Sequence, residues 1–148
     1  MEIRLPPDFR EFLSLLKIHG VEYLLIGGYA VGYYGYPRAT HDMDIWIAVH
    51  PRNAERTVET LKEFGFDTPD LRAELFLQEK SIVRMGLPPM RLEIITSISG
   101  VKFEECYPER MTDRIDGVEV SLISLRHLKI NKKASGRHKD LNDLEQLP

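Results

Sequence analysis

Cysteine is nearly absent from this chain: Cys106 is the one example in 148 residues. No intrachain disulfide can therefore staple the fold. No apolar run is long enough to cross a bilayer, and no amino-terminal signal sequence is evident, so a soluble cytoplasmic protein is expected. Nor is there an excess of basic residues. The formal net charge is −3, which argues against a general polyanion binder but leaves room for a local basic patch. Internal repeats, low-complexity tracts, linkers and zinc-type ligand spacing are missing too, and Pro88-Pro89 reads as a loop. What the chain does have is an apolar content of 43%, enough for one compact domain over residues 1–148 with its own core.

Helical and strand periodicities alternate along the chain. After Pro6-Pro7, Asp8 is placed to cap a helix in which Phe9, Phe12, Leu13 and Leu16 recur at helical spacing until Gly20. VEYLLI at 21–26 reads as a first strand and residues 43–49 as a second. Pro51 starts a helix with Val58, Leu61 and Phe64 inward, closed by Gly65. A brief helix is expected at 71–77, strands at 81–86 and 91–96, and a hairpin pairing 111–115 with 118–123 across Asp116-Gly117. Ser124 caps a helix to about Ala134, Gly136 interrupts it, and 138–147 forms a last amphipathic helix. Hairpins mixed with crossovers predict an α/β (α+β) class: a mixed sheet flanked by helices, placed on one side of it.

The most informative stretch is LLIGGYAVGYYGYPRATHDMDIWI at 24–47. Strand side chains alternate in direction, so Asp42 and Asp44 project from the same face, roughly 7 Å apart. At an effective dielectric of about 20 their repulsion is on the order of 2 kcal/mol, and a divalent cation would relieve it. Solvated turn chemistry is the plainer explanation of an isolated Asp-x-Asp. Upstream, Gly27 and Gly28 sit where a strand passes into a helix, a place where backbone N–H groups face outward and a phosphate can approach closely. Gly28, Gly32 and Gly35 fall at i, i+4 and i+7, and close packing against the sheet would explain that bare side as well as any ligand. Tyr29, Tyr33 and Tyr36 share another face as packing residues, and Trp46 shares the face of the aspartates with a core role.

A phosphoryl-transfer site would need a third acid, and Glu93, inside the strand-forming Arg91-Leu92-Glu93-Ile94-Ile95, is the candidate. A solvent-facing Glu93 paired with Arg91 or Arg84 is equally consistent with the spacing. Near the carboxy terminus a basic stretch contains Arg126, Lys129, Lys132, Lys133, Arg137 and Lys139. Lys132 shares the inward face of Leu125 and Leu128, where its ammonium needs an anionic partner or a route to solvent. A triphosphate or an acid cluster would supply one. Arg38 suits bidentate phosphate contact, Thr40 would steady the loop before Asp42, and His41 reads as an ordinary turn residue.

Together, residues 26–47 resemble the core motif of the nucleotidyltransferase superfamily with the DNA polymerase β-like fold: a Gly-Gly turn opening a helix, Asp-x-Asp on the next strand, a carboxylate on a later one. The closer resemblance is to small stand-alone bacterial members, including the abortive-infection and toxin-antitoxin branches. It is carried by Pro37-Arg38-Ala39-Thr40-His41-Asp42-Met43-Asp44 and by Lys132, Gly136-Arg137, Lys139-Asp140 and Asp143. The resemblance implies Mg²⁺- or Mn²⁺-dependent transfer of a nucleoside monophosphate from a nucleoside triphosphate to an acceptor hydroxyl on RNA, protein or a small molecule. Asp42, Asp44 and Glu93 would be the catalytic and metal-binding carboxylates. Gly27, Gly28, Arg38, Thr40, Lys132 and Arg137 would bind the nucleotide. Glutamate at 93 stands where aspartate is usual, and its extra methylene predicts a slower base. The alternatives are a catalytically impaired regulator that binds nucleotide or a partner protein, as in a toxin-antitoxin pair, and a metal-dependent phosphate-ester hydrolase.

Overall fold

The computed structural model describes residues 4–37, 40, 42–87 and 91–148. Among these residues six strands form one mixed sheet: β1 (Tyr23–Ile26), β2 (Asp42–Ile47), β3 (Ile82–Met85), β4 (Arg91–Ile95), β5 (Met111–Ile115) and β6 (Val118–Leu122), in the order β3-β4-β2-β1-β6-β5. Pairings β1–β6 and β2–β4 are parallel; β1–β2, β3–β4 and β5–β6 are antiparallel. The α/β class and mixed sheet expected from the sequence are therefore what the chain forms.

Among the described residues six α-helices accompany the sheet: α1 (Pro7–Ile18), α2 (Gly27–Tyr33), α3 (Pro51–Phe64), α4 (Phe103–Cys106), α5 (Leu125–Ser135) and α6 (His138–Gln146). They do not lie on one side. Phe9, Phe12 and Leu16 of α1 and Ala54 and Leu61 of α3 pack with Leu25, Met43, Ile45, Ile47, Leu92 and Ile94. The alternate strand residues Leu24, Ile26, Trp46 and Ile95 pack instead with Ala30, Val31, Cys106 and Leu128, from α2, α4 and α5. The physical reason is visible in β1, whose four residues are all buried: a strand covered on both faces reads as a continuous apolar run.

Local chemistry sets most boundaries. The Ser124 hydroxyl caps α5 by accepting from the His127 N–H, and Gly136 closes it in the left-handed region at φ 66°. The hairpin turn uses positive φ at both Asp116 (48°) and Gly117 (83°), as a two-residue primed turn requires. Asp8 departs from expectation. It lies in the first turn of α1, whose cap position is Pro6, and makes no capping bond. Strand β2 begins one residue earlier than expected, so Asp42 is inside it. Helix α4 is too short for periodicity to announce it.

Glycines 32 and 35 also correct an expectation. A β-carbon at either would meet nothing within 4 Å, so packing against the sheet does not account for them. Gly35 lies beyond α2 at φ 116°, a conformation that side chains resist. Tyr29 and Tyr33 pack onto one core and Tyr36 onto the other.

Candidate active site

Strand pairing assembles the acids. In the parallel β2–β4 ladder, Asp44 is in register with Glu93 and Asp42 with Arg91. In the antiparallel β1–β2 ladder, Ile26 faces Asp44, so the turn that follows β1 begins at the aspartate. Gly27 stands at φ 66°, and a β-carbon there would lie 2.2 Å from Asp44 Oδ2. Both the backbone and the carboxylate therefore demand glycine. A β-carbon on Gly28 would lie 2.9 Å from the Thr40 side chain. The Thr40 hydroxyl donates to the Asp42 carbonyl at 3.2 Å, which steadies the entry to β2 as the sequence suggested.

The three carboxylates have distinct surroundings. Burial, together with a hydrogen bond to Glu93 and the charges of Glu93 and Asp42, pushes the Asp44 carboxyl up to about 7. Its Oδ1 is buried and has no hydrogen-bond partner, an expensive arrangement for a carboxylate oxygen. Glu93, with a side chain 14% exposed, accepts from Arg84 Nε at 3.0 Å and lies 3.7 Å from Arg91 Nη2. It is thus the neighbour of Asp44 and the partner of the two arginines, and its side chain does not face solvent as the arginine-paired alternative expected. Asp42 is gripped by one guanidinium: Arg91 Nε donates to Oδ1 at 3.0 Å and Nη2 to Oδ2 at 2.8 Å.

Among the described residues no three His, Cys, Asp or Glu side chains converge into a ready metal cage. The geometry gives the reason. Asp44 and Glu93 are adjacent, whereas both Asp42 oxygens are engaged by Arg91. The donor set is nevertheless three hard carboxylates, the type that suits Mg²⁺ or Mn²⁺, and the orphaned Asp44 Oδ1 is an oxygen for which such a cation would be a partner.

Basic residues from the carboxy-terminal helices complete the surroundings. Asp44 feels the charge of Lys139, and Arg137 feels that of Asp44. Arg137 donates to Asp140 Oδ2 at 2.7 Å, while Lys132 Nζ lies 3.2 Å from Asp140 Oδ1 and 3.1 Å from Asp143 Oδ2. Lys132 is inward as expected, 4% exposed, and α6 supplies its anionic partners. Burial works against the Asp140 carboxylate, yet Arg137 and Lys132 outweigh it and hold that carboxyl below the ordinary range. Arg126 pairs with Glu109, and Lys129 donates to the Pro148 carbonyl, so the basic stretch divides between fold and site. Trp46 is a core residue, its indole N–H donating to the Thr96 carbonyl at 3.3 Å and its ring edge-on to Phe103. Arg38 and His41 lie outside the described residues.

Sequence reasoning did not single out Arg91 as the partner of Asp42, nor Lys139 as a neighbour of Asp44. The strand alternation that pairs Arg91 with Glu93 on one face was a signal for the first. No local pattern announces the second.

Residues 8–147 match the model of the family described as aminoglycoside-2''-adenylyltransferase. No curated protein matches the chain. Among solved structures, a Thermotoga maritima protein provisionally assigned as a nucleotidyltransferase is 18% identical with a TM-score of 0.65, covering 96% of this chain and 93% of that one. A nucleotidyltransferase-like antigenic protein of Paracoccidioides brasiliensis is 22% identical with a TM-score of 0.54, covering 96% of this chain and 76% of its own. Both show the fold. No helix among the described residues is long and apolar enough to cross a membrane.

Proposed function

We propose, from the premise that this chain belongs to the aminoglycoside-2''-adenylyltransferase family, that it transfers a nucleoside monophosphate from a triphosphate to a hydroxyl of an amino sugar, with a divalent cation at Asp42, Asp44 and Glu93. The observation that carries this reading is the register of β2 and β4, which sets Asp44 beside Glu93 directly against the Gly27 turn. The family description names an adenylyl group, so ATP is the first donor to test.

In this reading Gly27 and Gly28 present backbone to the triphosphate, and Thr40 fixes the strand entry from which Asp42 and Asp44 project. Arg137, Lys139 and Arg38 offer phosphate-pairing cations, the first held in place by Asp140. Lys132 contributes through the α5–α6 corner, since Asp140 and Asp143 hold its ammonium. The acceptor hydroxyl gives its proton to Glu93, its oxygen attacks the α-phosphorus, and pyrophosphate leaves. A bound Mg²⁺ or Mn²⁺ would supply charge neutralisation at the phosphates. Positioning and electrostatics carry most of the rate in such chemistry.

The test is incubation of the protein with each α-labelled nucleoside triphosphate, Mg²⁺ or Mn²⁺, and a panel of aminoglycosides, beside a cell extract offering RNA and protein acceptors. Label moved onto an aminoglycoside, and lost by at least about 100-fold in Asp44→Asn, supports the reading. Label moved to RNA or protein keeps the chemistry and replaces the acceptor. Nucleotide bound without any transfer supports the regulator, including a toxin-antitoxin role, and no binding overturns both.

A further inference from the structure

Resting on the reading that Asp42, Asp44 and Glu93 hold a divalent cation, we infer that Arg91 is an internal competitor of that cation, a guanidinium that must yield Asp42 before the three carboxylates can converge on it. The bidentate grip uses both oxygens of Asp42, at 3.0 and 2.8 Å. The same guanidinium reaches toward Glu93 at 3.7 Å, so one positive charge lies between two of the three proposed ligands. The third, Asp44, has its Oδ1 buried and without a partner. Arg91 thus contacts two of the three carboxylates directly, and Asp44 feels it only through its charge.

The arrangement is also releasable. The Arg91 side chain is 33% exposed, so it can swing to solvent without breaking the core, unlike Lys132, which is buried between two aspartates. Its position follows from the strand itself. Arg91 opens β4 in register with Asp42, two residues before Glu93 on the same face. A cation arriving with a triphosphate brings anionic oxygens to which a displaced guanidinium can move, whereas a cation arriving alone must expel Arg91 into water. Arg91 would therefore keep the affinity for a bare cation low and favour entry of the cation together with its nucleotide.

The experiment is a titration of Mn²⁺ alone, with no nucleotide, into the full chain, the free ion being read by electron paramagnetic resonance. Wild type is compared with Arg91→Gln, Arg91→Lys and Asp44→Asn, with circular dichroism melts to establish that each is folded. Arg91→Gln is expected to bind Mn²⁺ about three- to tenfold more tightly, the scale of losing one partly exposed bidentate ion pair. Arg91→Lys, which keeps the charge but not the fork, should fall between it and wild type. Asp44→Asn should bind weakly or not at all. If wild type binds and Arg91→Gln binds equally or more weakly, Arg91 positions Asp42 and the competitor role is refuted while the metal site stands. If neither wild type nor Arg91→Gln binds Mn²⁺, the metal site itself fails.

Discussion

Removing the charge at Asp44 should stabilise the protein at high pH and leave it unchanged at low pH. The folded chain holds the Asp44 carboxyl at about 7 against an ordinary 3.8, because burial and the neighbouring Glu93 both disfavour the anion. Between these values the folded state keeps a proton that the unfolded state has released, so stability falls as pH rises, by about 1.4 kcal/mol per unit. Over roughly three units the loss is about 4 kcal/mol, complete above pH 7 and absent below pH 4. In Asp44→Asn the side chain cannot ionise, and its amide can donate to Glu93 as the protonated acid does. We expect the variant to exceed wild type by about 2–4 kcal/mol at pH 8 and to match it near pH 4. The assay is urea unfolding of both proteins in a chelating buffer at the two pH values. With a slope of about 2 kcal/mol per molar, the midpoints should separate by roughly 1–2 M at pH 8 only. Equal midpoints at pH 8, or a variant weaker there, would refute the idea that Asp44 is a frustrated carboxylate.

Three further substitutions probe the frame around it. Gly27→Ala places a β-carbon 2.2 Å from Asp44 Oδ2 at φ 66°; a loss of about 1–3 kcal/mol by thermal melt is expected, and of nucleotidyl transfer by at least about 100-fold. Gly32→Ala meets nothing within 4 Å and should raise stability by about 0.5–1 kcal/mol, read from the same melts. Lys132→Met removes the cation lying between the buried carboxylates of Asp140 and Asp143, with an expected cost of about 3–5 kcal/mol in chemical denaturation.

Much of this was legible in the chain because it is local. The Gly27 turn, the alternation that aligns Asp42 with Asp44, the Asp116-Gly117 hairpin and the Ser124 cap each depend on a few neighbouring residues. The relation between Asp44 and Glu93 does not, since it arises from parallel pairing of strands nearly fifty residues apart; strand periodicity gave the face of each acid but not the register between them. Arg91 illustrates the same limit. Its nearness to Glu93 followed from alternation, whereas its grip on Asp42 required the ladder. The two-sided packing of helices was encoded in the unbroken apolar run of β1, a pattern that separates a central strand from a half-exposed one. Helix α4, four residues long, left too little periodicity to read.

In the proposed function one cation-binding notch, formed by Asp42, Asp44 and Glu93, holds a nucleoside triphosphate against the Gly27 turn. Anomalous scattering from crystals grown with Mn²⁺ and a non-hydrolysable ATP analogue tests it directly. The expected result is a manganese peak in contact with all three carboxylates, phosphate oxygens over Gly27 and Gly28, and the Arg91 guanidinium withdrawn from Asp42. A nucleotide bound elsewhere, or manganese that avoids Asp44 and Glu93, would contradict it.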